Sequence, residues 1–204
     1  MIITWLGHSC FKIEALGQSL VIDPFADGSV EGLKNIRETA NMVLCSHHHG
    51  DHDAVENVRI VPVEESIFTV EKLESYHDEV KGAKRGRNTI HVITAEGYRL
   101  AHLGDLGCEL REEQINKLQG LDVLLIPVGG FFTIDAAQAG EIVRQLKPRI
   151  TIPMHYRGEG FGFGVLGTVK EFVKQFENVR YEPVNTLEVT DEPENEVVVL
   201  HVPD

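Results

Sequence analysis

The chain has 204 residues and a mass of 22.8 kDa, and 42% of its residues are hydrophobic, enough for one large domain with a substantial interior. Its formal charge of −13 argues against nucleic acid as a habitual partner, because grip on a phosphate backbone rests on Lys and Arg. Three cysteines (Cys10, Cys45, Cys108) make no disulfide framework, and neither a leader peptide nor an apolar run long enough to span a bilayer is visible, so a cytoplasmic protein with no membrane partner is expected.

In chain order, Ile2–Leu6, Phe11–Glu14 and Ser19–Asp23 read as an opening meander of short strands, with turns at Gly7 and Gly17. Met42–Cys45, Val58–Val61, Ser66–Val70 and Lys72–Tyr76 continue in strand, and Thr89–Ala95 pairs with Tyr98–Leu103 around a Glu96-Gly97 turn. Arg111–Leu118 reads as a short helix, Asp122–Pro127 as a strand and Ile134–Leu146 as an amphipathic helix. A strand at Arg149–Pro153, a helix at Leu166–Phe176 and a return to strand over Val179–Val202 complete the chain. Periodicity alone decides only between α/β and α+β, and shows no linker or repeat.

Residues 47–52 carry the chemistry. His47-x-His49-x-Asp51-His52 packs four metal-ligand side chains into six residues directly after the apolar run Met42-Val43-Leu44-Cys45. At this composition that pattern arises by chance about once in a thousand chains, which makes it a strong metal signal. Imidazole suits zinc, iron and manganese, and a carboxylate adds the charge that retains a divalent ion. His47 and His49 can face one way from a strand end while Asp51 and His52 address a second position, so the hexapeptide can serve two ions. Completing two coordination spheres needs ligands from elsewhere. His155 follows a short strand, His77 ends another, and Asp105 sits in a Gly-flanked turn after Leu100-Ala-His-Leu. His91 and His201 lie in alternating strand patterns and read as ordinary strand residues.

Together with Gly7-His8-Ser9, Asp23-Pro24, Gly104-Asp105 and Pro153-Met-His155-Tyr156, these motifs resemble the metallo-β-lactamase superfamily, and most of all its branch of small hydrolases that includes the ascorbate-6-phosphate lactonase. The resemblance runs from Met1 to about Phe176. It implies an α+β fold, a four-layer αββα sandwich forming one domain over residues 1–204. It implies a first metal held by His47, His49 and His77, a second held by Asp51, His52 and His155, and Asp105 bridging both with a nucleophilic hydroxide. Two zinc ions are expected, with manganese or iron as substitutes. Asp51, His8 and Asp105 are the expected catalytic residues, His8 lying in the Gly-His-Ser turn beside the metals. Asp23 would orient a ligand histidine, His102 would be buried behind the ligands, His48 would point away, and Asp53 would cap the following segment.

Around this site, Lys81-Gly-Ala-Lys-Arg-Gly-Arg87 could receive a phosphate or carboxylate of a small anionic substrate. Arg157–Gly167, rich in glycine with Phe161 and Phe163, could close over the site as a lid, and Gly129-Gly130-Phe131-Phe132 could bring backbone close to substrate. Cys108, three residues past Asp105, is close enough in sequence to approach the metals, although a small buried hydrophobe is the commoner fate of a free thiol. The function expected is metal-dependent hydrolysis of a small ester, lactone or phosphodiester. The alternatives are a nuclease acting on RNA, which the acidic charge disfavours, and a metal-binding module without turnover, which the intact ligand set disfavours.

Overall fold

A computed structural model describes residues 1–192 and 194–203. Alternation along the first strands sets the architecture. In β1 (Ile2–Gly7) and β2 (Cys10–Ala15), Ile3, Trp5, Phe11, Ile13 and Ala15 point to one buried face while Lys12 and Glu14 point away. With β3 (Gln18–Ile22), β5 (Met42–Leu44) and β13 (Thr186–Glu188) they form a five-stranded sheet in the order β13-β1-β2-β3-β5, in which only β3 and β5 run parallel.

The second sheet has seven strands. β7 (Thr69–Tyr76), β8 (Arg87–Ala95) and β9 (Tyr98–His102) are antiparallel neighbours, and β9 leads into a parallel block of β10 (Val123–Pro127), β11 (Ile150–Met154), β14 (Glu196–Val199) and β12 (Val179–Tyr181). Every residue of β10 and β11 is buried, which is why both read as unbroken apolar runs: a parallel strand covered on both faces has no side to give to water. One cluster of buried side chains joins the inner faces, with Trp5, Phe11, Leu20 and Ile22 of the first sheet among Ile93, Leu100 and Leu125 of the second. The result is the expected α+β sandwich. Its helices, α1 (Glu112–Lys117), α2 (Ala136–Leu146) and α3 (Lys170–Val173), all follow β9. Val21 points out of the first sheet, opposite to Leu20 and Ile22, into a separate cluster with Cys10, Phe25, Val30, Ile36, Ala40 and Val58. That outer layer is made of loop, the small sheet of β4 (Glu38–Ala40) with β6 (Val58–Ile60), and one 3-10 turn (Val55–Asn57), with no α-helix among the described residues.

Several element expectations shift for local reasons. Ser66–Phe68 does not pair: the Ser66 hydroxyl takes the Phe68 N–H in a tight local turn, and β7 begins at Thr69 as one continuous strand. The helix expected over Leu166–Phe176 shortens to the four residues of α3, because the Gly167 N–H donates to Gly129 and its carbonyl accepts from Arg157, which commits that backbone elsewhere. α2 starts two residues late, after Asp135 caps it by accepting from the Ala137 and Gln138 N–H groups. The C-terminal region is three strands rather than one run, and β13 crosses to the first sheet beside β1 while β12 and β14 join the second. His201 lies just past β14 and is exposed, whereas His91 is buried within β8. Among the described residues no helix is long and apolar enough to cross a membrane.

Candidate metal centre

The candidate residues share one placement: each stands just past the C-terminal end of a strand. His8 follows β1, Asp23 follows β3, the hexapeptide follows β5, His77 follows β7, Asp105 follows β9 and His155 follows β11. Strands from both sheets therefore deliver their side chains to one edge of the sandwich. Turning sharply out of a strand has a conformational cost. His8, Asp23 and His155 all adopt the left-handed region, each at φ 52°, at a cost of about 1–3 kcal/mol per residue that the surrounding packing must hold. The Trp5 indole N–H donates to the His8 carbonyl at 2.9 Å, and the His155 N–H reaches the same oxygen at 3.3 Å, which pins two of those turns together. Gly129 has to be glycine, since a Cβ there would stand 2.2 Å from the His155 carbonyl oxygen.

Asp105 lies at the centre. Its Oδ2 is 3.2 Å from His77 Nε2, 3.2 Å from His155 Nε2, 3.3 Å from His52 Nε2 and 3.9 Å from His47 Nε2. On one side His47, His49 and His77 group together, with ring centroids 4.6–5.3 Å apart. On the other side Asp51, His52 and His155 group with His8, whose ring is 4.1 Å from that of His155 and whose Nε2 is 3.3 Å from Asp51 Oδ2. The resemblance implied only that His8 lies beside the metals, and the structure groups it with Asp51, His52 and His155. Two partly opened faces, at exposed His49 and part-exposed Asp51, give access from solvent.

The residues fit divalent ions on their own chemistry. His8 Nδ1 and Nε2, His47 Nε2, His52 Nε2, His77 Nδ1, both His155 ring nitrogens and Asp105 Oδ1 are buried without a hydrogen-bond partner. Orphaned polar atoms converging in one place are costly unless something coordinates them. Behind them the tautomers are set. Asp23 Oδ1 accepts the Ser46 N–H at 2.6 Å, and Oδ2 accepts the Ser46 hydroxyl at 2.6 Å and lies 2.9 Å from His52 Nδ1. Because the Ser46 hydroxyl proton goes to Asp23, Ser46 Oγ is left to accept from His47 Nδ1 at 2.9 Å. Both histidines then carry their proton on Nδ1, so both Nε2 lone pairs face Asp105. Electrostatics agree for His47. Burial and then the neighbouring His52 push His47 down to about 3, and burial and then His155 push His8 down to about 4, so both are uncharged at neutral pH. Burial opposes ionisation of Asp23, but its hydrogen bond to His52 and that ring's charge prevail and hold it at about 2. Burial likewise opposes the charged forms of His52 and Asp105, yet the Asp105 carboxylate raises His52, and His155 and His52 lower Asp105.

Other expectations resolve individually. His102 is buried and no ligand: its Nδ1 accepts the Gly104 N–H at 3.1 Å, so Nε2 donates to the Ser9 carbonyl at 2.8 Å and ties the Gly-Asp turn to the Gly-His-Ser turn. His48 is exposed and points away. Asp53 caps nothing, since the 3-10 turn begins after Ala54 without a side-chain cap, and Asp53 instead lies 3.4 Å from His48. Cys108 is half-buried and belongs to none of the ligand groupings among the described residues. Residues 157–167 are tied down rather than loose: the Gly162 N–H donates to Glu31, Arg157 Nε donates to Leu166, and Phe163 sets its ring 5.4 Å from His8. Ser46 and Asn88 escaped the sequence reading. Asn88 Oδ1 accepts the Asp105 N–H at 2.9 Å while its amide N–H groups donate to Ser75 and Leu103, so it fixes the central carboxylate. A polar residue abutting the hexapeptide was the only hint of Ser46, and nothing in a strand-interior Asn announces such a role.

A model of the β-lactamase superfamily domain matches residues 2–155. The chain belongs to this superfamily. It is 31% identical over 193 residues to a metal-dependent hydrolase of Methanopyrus kandleri, covering 76% of this chain and 84% of that one. It is 33% identical over 192 residues to a metal-dependent hydrolase of Desulforamulus reducens, covering 76% and 84%. A solved structure from Thermotoga maritima, described as a zinc-dependent hydrolase of the metallo-β-lactamase superfamily, superposes with a TM-score of 0.78 at 34% identity over 99% of both chains. The superfamily expectation therefore holds, while the narrower likeness to the lactonase rests on the sequence motifs alone.

Proposed function

We propose that this metallo-β-lactamase-fold chain is a metal-dependent hydrolase that holds two divalent ions, zinc before manganese or iron, and cleaves a small ester, lactone or phosphodiester. The observation that carries the reading is the convergence of the buried, unpartnered Nε2 atoms of His47, His52 and His155 on Asp105 Oδ2. His47, His49 and His77 would hold one ion, Asp51, His52 and His155 the other, and Asp105 would reach both. Two bound ions supply an acidified water and polarise the bond to be cut. The chain does the rest. Asp23 and Ser46 keep the Nε2 lone pairs of His47 and His52 exposed toward Asp105. His8, uncharged at neutral pH, brings an N–H that a developing oxyanion can accept, next to the Asp51 carboxylate. Phe163, half-buried, packs edge-on against the buried His8 ring and limits competing water there. The names of the relatives support hydrolysis, and the charge of −13 weighs against RNA as the substrate.

Elemental analysis of protein purified without chelators, with an esterase, lactonase and phosphodiesterase panel on the same sample, tests this. Two equivalents of metal with turnover of any substrate are expected. No tightly bound metal and no activity after reconstitution would overturn it. His8→Ala is expected to lower kcat with both metals retained, and loss of one equivalent would make His8 a ligand instead.

A further inference from the structure

Arg85 is an arginine without a partner in a chain that has acid to spare. It is only partly exposed, and among the described residues its guanidinium makes no ion pair and no hydrogen bond. Two of its basic neighbours are engaged, Lys84 with Glu79 and Arg87 at 3.3 Å from Glu74, while Lys81 is exposed and lies over no aromatic ring among the described residues. Arg85 instead rests over the Phe132 ring at 5.6 Å. Phe132 stands edge-on to Phe163 at 6.0 Å, and Phe163 stands edge-on to His8 at 5.4 Å. An aromatic wall thus runs from the metal centre to a free guanidinium, built from the three segments that the sequence reading placed around the site.

The loop that presents Arg85 is held rigidly. Asp78, the residue after His77, accepts backbone N–H groups from Val80, Gly82, Lys84 and Arg85 at 2.7–3.0 Å, and the Gly86 carbonyl accepts the His77 N–H at 3.1 Å. A displacement of Arg85 would therefore drag on the ligand histidine itself. A cation–π contact with an aromatic face holds a guanidinium in place and leaves its fork of donors unused, the arrangement that favours two-point recognition of an oxyanion.

We propose that Arg85, held over Phe132, receives a carboxylate or phosphate group of the substrate at the outer end of the wall while the scissile bond lies at the metals. The substrate is accordingly an ester, lactone or phosphodiester that carries a second, anionic group. This rests on the hydrolase reading above.

The metal-loaded enzyme and its Arg85→Ala and Arg85→Lys variants are compared on three aryl esters with one leaving group: a neutral ester, one ending in a carboxylate and one ending in a phosphate. Inorganic phosphate affinity is measured calorimetrically on the same samples. Arg85→Ala is expected to raise KM for the anionic esters about tenfold or more with kcat little changed, to leave the neutral ester unaffected and to weaken phosphate to a similar degree. Arg85→Lys should recover part of the loss, since charge returns without the fork. Whichever anionic ester responds more identifies the group. Equal KM for all esters in all three proteins, or an equal rise for the neutral ester, would overturn the anion site and leave the hydrolase reading intact. If the wild type cleaves none of them, nor any ester, lactone or phosphodiester of the wider panel, yet Arg85→Ala still loses phosphate affinity, the anion site stands and the hydrolase reading fails. If phosphate affinity is also unchanged, both fall.

Discussion

Asp23→Asn tests the architecture behind the metals with almost no change in shape. The carboxylate accepts the Ser46 N–H at Oδ1, and the Ser46 hydroxyl and the His52 Nδ1–H at Oδ2. An amide has one oxygen. If its nitrogen takes the Oδ1 place, one backbone donor faces another donor; if it takes the Oδ2 place, two donors do. A stranded buried donor costs about 1–3 kcal/mol, and the bonds that survive lose their charge assistance, so a destabilisation of about 3 kcal/mol is expected. His52 has an escape with a consequence. It can accept the new N–H₂ at Nδ1 only by moving its own proton to Nε2, the atom that faces Asp105. Metal affinity should therefore drop about 10–100-fold, the usual range when a group supporting a ligand histidine is altered. Urea denaturation of chelator-treated protein reads the first effect, and competition with a chromophoric chelator reads the second. An unchanged midpoint with metal affinity within about twofold would refute the tautomer argument.

The same carboxylate predicts a pH signature. Its folded pKa of about 2 lies below the ordinary 3.8, so its stabilisation is full above 3.8 and is lost as pH falls through about 2. The stability gap between wild type and Asp23→Asn, of which about 2 kcal/mol comes from ionisation, should hold at pH 5–7 and shrink between about pH 4 and 2 in chelated protein; a gap that widens on acidification would contradict it. Asp105→Ala should lose metal from one or both positions by elemental analysis, whereas His91→Ala, buried in β8 away from the centre, should retain it; full occupancy in the Asp105 variant would sink its central role. Gly129→Ala should destabilise by about 1–3 kcal/mol and lower metal content, because its Cβ would meet the His155 carbonyl at 2.2 Å. Gly50→Ala, inside the hexapeptide but with open space at its Cβ, should do neither, and equal effects of the two would show that packing at Gly129 is not the cause.

Much of this protein was legible in one dimension because its strongest signals are local. Alternation in β1 and β2, unbroken apolar runs in β10 and β11, and four metal-ligand side chains in six residues all sit within a single element or turn, where backbone geometry alone dictates which side chains share a face. That His77, Asp105 and His155 each close a strand was visible too, as was the place of His91 inside one. Tertiary structure alone decided the rest. The Ser66 turn and the shortened α3 follow from hydrogen bonds to hydroxyl and distant carbonyl groups, which no periodicity encodes. Ser46 and Asn88 matter because strands distant in sequence bring them against Asp23 and Asp105. The position of His8 within the second candidate group, and the place of Arg85 over Phe132 beyond Phe163, depend on how two sheets and three loops meet at one edge. The sequence by itself determined which atoms were available to bind metal. Only packing determined which of them lost every other partner, because burial without hydrogen bonds is a property of the assembled edge and of no segment alone.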